Sequence, residues 1–488
     1  MAALLDTFSG LLWSYLAIPL LLLSGAYLTF MCRGVQLRLI PEMFRVIGER
    51  HHGDKEAISS FKAFTISAAS RVGTGNIAGV ATAIALGGPG AVFWMWMVAL
   101  LGGATAFVES TLGQLYKSQE HYRYHGGPAH YIQKALGWRW LAVVFAIMIS
   151  ITYGLVFNSV QANSIVDVMQ TSFGGEGGSE TLAWGVGAVL TILTGVIIFG
   201  GVQTISKVSV TIVPTMAVLY LGIGSLVIAL NIGQVPAMIS SIFAHAFGLQ
   251  EIAGGGVGAA IMMGMRRGLF SNEAGMGSVP NASATASVSH PVKQGLVQTL
   301  GVYFDTLIIC TMTALIILLT DPSHAYGNET LGASLTQWAL AEQLGSWAIH
   351  FLTLALLLFA FTSLVGNYYY GESNIQYMFG GKHWLLLFRL LVMAFVMIGS
   401  VVKVSVVWSL ADVFMPLLAL TNLVAIVPLA SIVARLLKHY QDQRRAGVEP
   451  VFHRDEMPDL KNIECWDGSD PVTQPQTYGD AATTALKN

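Results

Sequence analysis

One short stretch interrupts an otherwise apolar segment: residues 71–79 read Arg-Val-Gly-Thr-Gly-Asn-Ile-Ala-Gly. Mostly apolar or small residues fill positions 61–69 before it and 80–86 after it, as in a membrane-spanning helix. Its three glycines weaken the helix, because glycine loses the most backbone entropy when it is ordered. Within a membrane, an unwound backbone is tolerated only where it is buried in protein or lines a cavity. The stretch is therefore either a close-packing surface or a binding site.

The composition is that of a protein that lies mostly in a membrane. The chain has 488 residues, of which 54% are hydrophobic and 11% charged, and its mean hydropathy is +0.62. A soluble protein of this size would carry roughly a quarter charged residues. The three cysteines show neither metal-binding nor disulfide spacing. No basic residue precedes the first apolar run, so we expect a retained spanning helix rather than a signal peptide.

Apolar runs of about 20 residues, the length that spans a bilayer, are the dominant pattern of the chain. The second and the seventh of these runs are interrupted by glycines and polar residues. The eleven runs lie near residues 11–31, 62–86, 90–116, 139–166, 181–203, 207–231, 254–290, 293–320, 346–371, 383–407 and 410–437.

Basic residues divide sharply between the two sides of these runs. If the amino terminus lies outside, 21 of the 25 Lys and Arg residues fall in the odd-numbered loops and the carboxy-terminal segment. Acidic residues such as Asp167 and Asp321 occupy the even-numbered loops instead. Because cytoplasmic loops carry the excess of Lys and Arg, we expect the amino terminus outside and the carboxy terminus in the cytoplasm. The pattern fits a bacterial inner membrane.

A second interruption follows the first after about 200 residues, where residues 270–278 read Phe-Ser-Asn-Glu-Ala-Gly-Met-Gly-Ser. Each interruption heads a group of five runs, over about 62–231 and about 254–437. An odd number of spans inverts one group relative to the other, and matched interruptions in inverted halves indicate a transporter's site at the bilayer midplane. We expect an all-α polytopic membrane protein, with a transporter domain over 1–440 and a charged cytoplasmic tail over 441–488.

Other classes of protein fit the interruptions less well. Gly75 and Gly79 form a small-xxx-small pair, which often indicates helix packing only, but packing does not account for Asn76 or for the polar residues 271–273. The glycine spacing is not the dinucleotide fingerprint, and no strand precedes it. The intramembrane glutamates lack the nucleophile or metal cluster that an enzyme would need. A channel or amino-acid sensor, which would repeat polar pore-lining residues, is the least favoured alternative.

Three segments also have a familiar form: residues 72–96, residues 270–278 and the Phe-Ala-Phe-Thr-Ser segment at 359–363. Together they resemble the signature of the alanine or glycine:cation symporter family, and the similarity extends over 10–440. It implies the LeuT fold, a 5+5 inverted repeat preceded by one extra amino-terminal helix, with about 11 transmembrane helices. It also implies sodium-coupled uptake of alanine and glycine, with proton coupling in some members. Arg71 departs from the small or apolar residue usual at its position.

The resemblance implies a substrate site at the first interruption. The backbone amides of Thr74, Gly75 and Asn76 would receive the substrate carboxylate. Free amides and the positive end of the helix dipole at a restarting helix suit an anion. The further pocket residues are expected to be Phe270, Gly275 and Met276.

The resemblance also implies two cation sites. One Na⁺ would be held by the carbonyl oxygens of Ala69 and Val72 and by the side-chain oxygens of Thr362 and Ser363. Asn76 and Ser271 occupy the positions of a second sodium site in that fold. Carbonyl and hydroxyl oxygens are the ligands that hard cations prefer.

Polar residues elsewhere in the spans complete the expected site. Gln161 is the candidate partner of the substrate ammonium group, with an interhelical hydrogen bond as an equal alternative. Arg71 and Glu273, one at each interruption, are expected to lie close together and to act as a gate or coupling pair, or as a static ion pair. Asp305 is a further candidate cation or proton ligand.

The sequence thus predicts a secondary active transporter and not an enzyme. As the resemblance implies, we expect it to take up small neutral amino acids with Na⁺ by alternating access, to contact the lipid bilayer, and to need no organic cofactor and no nucleic acid. A membrane potential of 100 mV supplies about 2.3 kcal/mol per charge and a tenfold sodium gradient about 1.4 kcal/mol, which together support accumulation by several hundredfold. A proton-coupled symporter and a glutamine-preferring symporter are the alternatives.

Overall fold

The computed structural model describes residues 2–49, 58–120, 123–174, 179–249, 256–328 and 332–473. Within these ranges, nine continuous helices are long and apolar enough to cross a membrane. They correspond to nine of the eleven predicted runs, and the other two runs are the interrupted ones. The fold is therefore the predicted all-α membrane bundle. The expected start of the second repeat, at residue 254, lies outside the described residues.

Thirteen helical segments make up the bundle, because each interrupted run contributes two. They are α1 (Leu5–Met31), α2 (Ser60–Arg71), α3 (Gly75–Gly87), α4 (Gly90–Leu115), α5 (Arg139–Phe173), α6 (Glu180–Phe199), α7 (Gly201–Leu230), α8 (Gly256–Asn272), α9 (Val279–Ser283), α10 (Pro291–Leu318), α11 (Trp347–Phe379), α12 (Lys382–Val401) and α13 (Val404–Arg445).

Shorter elements connect these helices. The connecting helices are Val35–Arg38, Ile40–Ile47, Pro128–Leu136, Val235–Ala246 and Ala333–Leu344, with short 3₁₀ turns at Pro322–Ala325, Arg454–Glu456 and Pro471–Thr473. Two strands, β1 (Ser118–Glu120) and β2 (Arg123–His125), pair antiparallel, with Ser118 opposite His125.

The first interruption is a short extended segment between α2 and α3. Val72 has φ −78° and ψ 91°, which ends α2, and Thr74 returns to helical angles before α3 begins. The opening turn of α3 is wider than an α-helix, with π-helical hydrogen bonding over Gly75–Gly79. Such local widening is frequent at functional sites.

The second interruption is a left-handed turn between α8 and α9. Glu273, Gly275 and Gly277 have φ values of +59°, +89° and +74°. Glycine adopts this conformation without strain, whereas a glutamate in it is uncommon and costs energy. The backbone is therefore held in a fixed non-helical shape, and Pro280 at the start of α9 suits the restarted helix.

Both interruptions lie in the interior of the bundle. Residues 65–81 and residues 267–299 are buried without a break. By contrast, only about a third of the most apolar window is buried in α6 and in α7, so these helices face lipid. The unwound backbone is thus enclosed by protein, as its cost in hydrocarbon requires.

The described part of the carboxy-terminal segment packs against one end of the bundle. Helix α13 continues to Arg445, beyond the predicted domain boundary at 440, and residues 446–473 form what we name the strap. Phe452 and Trp466 of the strap are buried and belong to the same apolar cluster as the core of the bundle. The Phe452 amide donates to the Ser289 carbonyl at 2.9 Å, and the Trp466 indole donates to the carbonyl of Gln114 at 3.2 Å.

Ion pairs reinforce this packing. Lys293, whose side chain is almost fully buried, lies 2.5 Å from a carboxylate oxygen of Glu449 and 2.8 Å from one of Glu49. Arg45 lies 3.1 Å from Glu449, and Lys134 lies 2.9 Å from Glu464 of the strap. Basic residues of separate predicted cytoplasmic loops therefore meet at one end of the bundle, which we name the basic end.

Candidate cation and substrate site

Five oxygen atoms from two helices converge beside the first interruption. The Ser363 hydroxyl lies 2.9 Å from the carbonyl oxygen of Ala69 and 3.4 Å from that of Val72. On its own helix, the same hydroxyl lies 3.1 Å from the carbonyl oxygen of Phe359, to which the hydroxyl of Thr362 donates at 2.8 Å. All five residues are buried. An enclosed set of carbonyl and hydroxyl oxygens fits a hard cation such as Na⁺.

The end of α2 explains why these carbonyls are available. The last carbonyls of a helix have no intrahelical donor, and α2 ends at Arg71, so the oxygens of Ala69 and Val72 can turn toward α11. The structure brings together the four residues expected for this site and adds Phe359. The sequence gives no signal for Phe359, because every residue carries a carbonyl and only the fold selects one.

The expected carboxylate seat holds a side chain of the protein. The Thr74 amide donates to the Gln161 side-chain oxygen at 3.1 Å, and the Gly73 amide donates to the Asn76 side-chain oxygen at 2.9 Å. The Thr74 hydroxyl is buried and has no hydrogen-bond partner among the described residues. Gln161 therefore reaches the interruption. Its side-chain oxygen, however, accepts the hydrogen bond from the Thr74 amide that a substrate carboxylate was predicted to accept.

Close packing explains the glycine at position 75. A Cβ atom there would lie 3.0 Å from the Phe270 ring and 3.1 Å from the Cα atom of Ser271, closer than side chains normally approach. The Phe270 ring packs 4.7 Å from the ring of Phe157 and 4.9 Å from that of Trp408, centroid to centroid. These two aromatic partners of Phe270 were not among the predicted pocket residues.

Asp305 links the two residues expected at a second cation site. Its carboxylate accepts from the Asn76 side-chain amide at 2.7 Å, from the Ser271 hydroxyl at 2.7 Å and from the Thr306 hydroxyl at 2.9 Å. In the described part of the chain, no Lys, Arg or His nitrogen lies within 4 Å of this buried carboxylate. Asp305 also lies in a π-helical stretch, Phe304–Cys310. A carboxylate surrounded by neutral donors is suited to hold a cation or a proton.

Arg71 and Glu273 do not form the expected direct pair. Among the described residues, no ion pair within 4 Å joins them, although Arg71 is within electrostatic range of the Glu273 carboxylate. One Arg71 nitrogen donates to the Gln298 carbonyl at 3.3 Å. The Glu273 carboxylate instead accepts from the hydroxyls of Ser70 and Ser278, both at 2.7 Å. A direct hydrogen bond between the two interrupted runs is therefore the one from Ser70 to Glu273.

Glu109 holds the backbone of the second interruption. Its carboxylate accepts from the amides of Gly275 at 3.2 Å and Gly277 at 3.1 Å, and from the Asn422 side chain at 2.7 Å. Gly275 thus faces Glu109 rather than the Thr74 amide, and Met276 is buried with its amide bonded to the Glu273 carbonyl at 3.2 Å. Gly275 was predicted to line the substrate pocket, and in the structure its amide is bonded to the Glu109 carboxylate.

Two neighbouring arginines of α8 share one aspartate of α13. Arg267 lies 2.6 Å and Arg266 3.4 Å from the Asp412 carboxylate, and the Arg267 guanidinium stacks 4.4 Å from the Trp408 ring centre. Because Trp408 also contacts Phe270, this ion pair supports the aromatic cluster beside the site.

Comparisons with known proteins identify the family of this chain. The Sodium:alanine symporter family matches residues 1–454. The chain is 49% identical to the probable sodium/glutamine symporter GlnT of Bacillus subtilis, over 95% of this chain and 96% of that protein. It is 49% identical to the amino-acid carrier protein AlsT of the same organism, over 95% and 97%, and 35% identical to the sodium/alanine symporter AgcS of Methanococcus maripaludis, over 91% and 98%.

A solved structure shows the fold. The crystal structure of MhsT in complex with L-phenylalanine superposes with a TM-score of 0.60 at 15% identity, over 79% of this chain and 99% of that chain. MhsT has the LeuT fold, which confirms the predicted fold class. The family and the relatives are transporters and not enzymes, and they support sodium-coupled amino-acid transport. The chain belongs to the sodium:alanine symporter family.

Proposed function

We propose that this protein carries small neutral amino acids, alanine and glycine among them, into the cell together with Na⁺ by alternating access. The observation that carries the proposal is the set of five buried oxygens beside the first interruption. Two of these oxygens come from Ala69, near the end of α2, and from Val72, just after it, and three come from α11. A cation bound between them would hold the two helices together, which is how ion binding can favour one conformation of a transporter over another.

Gln161 suggests how substrate binding begins. In the structure, its side-chain oxygen accepts a hydrogen bond from the Thr74 amide and keeps that buried donor satisfied. A substrate carboxylate would replace the Gln161 oxygen at the Thr74 amide, and the unpartnered Thr74 hydroxyl would supply a second donor. The displaced Gln161 oxygen would then be free to accept from the substrate ammonium group. Both ends of a zwitterion are thereby bound without stranding a charge in a dry interior.

A second cation is the role that we propose for Asp305, with Asn76, Ser271 and Thr306 around it. Its carboxylate lies against the same Asn76 that bonds to the Gly73 amide, so its charge state affects the backbone at the interruption. A second Na⁺ and a proton are both consistent with this environment. Proton coupling is therefore retained as the second candidate mechanism, because a buried carboxylate without a basic partner can hold a proton.

The names of the relatives point to two different substrates. GlnT is named for glutamine and AgcS for alanine. The rings of Phe157, Phe270 and Trp408 pack together next to Gly75, and such bulky neighbours favour a substrate with a small side chain. We therefore propose alanine and glycine as the preferred substrates and glutamine as the alternative.

The location follows from the charges. We propose that the protein lies in a bacterial inner membrane, with the basic end and the strap in the cytoplasm and the amino terminus outside. The convergence of Arg45, Lys117, Lys134 and Lys293 on the strap supports this orientation. We also retain the proposed organisation of two inverted repeats within a transporter domain over 1–440.

Uptake by purified protein in liposomes tests the proposal. Labelled alanine, glycine and glutamine are offered under an inward Na⁺ gradient, under a pH gradient alone, and under neither, with protein-free liposomes as the control. We expect alanine to accumulate above equilibrium under the Na⁺ gradient only. Accumulation under the pH gradient alone would replace sodium by protons, and the absence of accumulation under both gradients would refute symport.

A further inference from the structure

A cleft of about 390 Å³ opens at the basic end of the bundle, in the region that follows α1 in the chain. One wall is the pair of short helices Val35–Arg38 and Ile40–Ile47, and the other is the last turns of α13. Nothing in the transport mechanism uses it. Its lining residues are Arg38, Leu39, Glu42, Tyr440, Gln441, Arg444 and Arg445.

The cleft has an excess of positive charge. Glu42, the one carboxylate among the described lining residues, accepts from the Tyr440 hydroxyl at 2.6 Å and is paired with Arg45 at 2.9 Å and with Arg444 at 3.1 Å. Arg38 forms no ion pair within 4 Å in the part of the chain that the structure describes. Among the described residues, Arg445 pairs only with the exposed Asp442, at 3.5 Å. The exposed side chains of Arg38 and Arg445 can therefore both approach an anion, with Arg445 exchanging its solvent-exposed contact to Asp442.

Apolar side chains beside the cleft place it at the edge of the bilayer. Phe30, at the end of α1, is 81% exposed, and Leu37 and Phe44 on the two short helices are 55% and 61% exposed. Exposed aromatic and leucine side chains at the end of a spanning helix are covered by acyl chains in a membrane. An anion that binds between Arg38 and Arg445 would therefore be attached to acyl chains.

We propose that this cleft binds the headgroup phosphate of an anionic phospholipid. The arginines hold the phosphate, since guanidinium groups bind phosphate oxygens in a bidentate manner, and the acyl chains lie along Phe30, Leu37 and Phe44. The bound lipid joins the first helix to the end of the last. The inference goes beyond transport, and its test requires no uptake measurement.

Lipid retention by the purified full-length protein tests this site. Native mass spectrometry in detergent compares phosphatidylglycerol with phosphatidylcholine of the same acyl chains, for wild type and for the double variant R38Q/R445Q. Both arginines are exposed and neither belongs to the Glu42 network, so the variant keeps that network. The control variant K382Q/K461Q loses the same charge at exposed positions outside the cleft. Melting temperatures of all three proteins verify folding.

We expect the wild type to retain phosphatidylglycerol in preference to phosphatidylcholine. Each basic side chain near an anionic headgroup contributes about a fivefold factor to binding, so the double variant should bind phosphatidylglycerol about thirtyfold more weakly. The control should stay within about twofold of wild type. Equal binding by R38Q/R445Q and wild type would overturn the proposal. Displacement of the lipid by millimolar inorganic phosphate would assign the cleft to the free anion instead.

Discussion

Replacing Ser363 with alanine removes one of the five oxygens beside the first interruption and leaves the other four in place. The Ser363 hydroxyl is the central atom of the set, because it lies within 3.4 Å of the carbonyl oxygens of Ala69, Val72 and Phe359. Ala69 and Val72 belong to the end of α2, and Phe359 belongs to α11. Loss of this hydroxyl therefore weakens the contact between the two helices through the cation.

The size of the effect follows from the charge of the ligand. An interaction between a hydroxyl and a charged group contributes about 1.5–3 kcal/mol. The sodium concentration for half-maximal uptake should therefore rise about 10- to 150-fold in Ser363→Ala. Uptake at saturating sodium should change much less, because the carboxylate seat at Thr74 is intact.

The assay is uptake of labelled alanine into proteoliposomes over a range of external sodium concentrations at constant ionic strength. Ser373→Ala is the matched control, since Ser373 is also a buried serine of α11 but is not one of the five oxygen donors. We expect its sodium dependence to equal that of wild type. An unchanged half-maximal sodium concentration in Ser363→Ala would refute the assignment of the cation to these oxygens.

Three further predictions concern the Asp305 carboxylate and two residues of the strap. Asp305→Asn keeps the shape of the side chain but removes its charge, so the dependence of uptake on sodium should become less steep if a second Na⁺ binds there; an unchanged steepness and pH profile would exclude a cation at Asp305. Trp466→Ala removes a buried ring that docks the strap, a loss of about 3–5 kcal/mol for such side chains, and limited proteolysis should then cleave residues 446–473 much faster; wild-type cleavage would contradict the packing. Burial raises the pKa of Glu449, but Lys293 and Arg45 outweigh it, so this pKa lies below its ordinary value. The unfolded chain therefore binds the proton more readily, and the stabilisation is lost as the pH falls below about 4.3 toward the folded pKa. The melting temperature of Glu449→Gln should consequently fall less than that of wild type between pH 5 and 3.5, and parallel curves would contradict this.

The sequence was sufficient to locate the helices and the interruptions. Long apolar runs have one stable outcome in a membrane, and glycines with polar residues inside two of them mark the places where the helix ends. The oxygens of Ala69, Val72, Thr362 and Ser363 could be predicted because a family resemblance supplied their positions. Composition alone carries no information about which distant carbonyls meet.

The remaining features depend on side-chain directions that no local pattern encodes. Arg71 and Glu273 have opposite charges at matched positions, yet Glu273 bonds to Ser70 because the hydroxyl is adjacent and the guanidinium turns toward Gln298. Glu109 is one of the glutamates that lie within the predicted apolar runs. Nothing in the sequence indicates that its carboxylate accepts a hydrogen bond from the Gly275 amide, which the fold shows.

The strap gives a similar lesson about composition. Its charged and proline-bearing sequence has few apolar residues, and most of those that are buried share one cluster with the core of the bundle. Its buried Trp466 packs into a surface that the bundle provides. Isolated aromatic residues in a polar segment are therefore a signal for docking onto another part of the chain.

The central claim is that Na⁺ and the amino acid bind to one coupled site, and equilibrium binding to purified protein tests it most directly. The affinity for labelled alanine is measured without uptake, across a range of sodium concentrations with choline as the replacement cation. If the two ligands are coupled, each must increase the affinity of the protein for the other by the same factor. We predict that the alanine dissociation constant falls at least tenfold as sodium rises, a coupling of about 1.4 kcal/mol. An alanine dissociation constant that is independent of sodium would contradict the account.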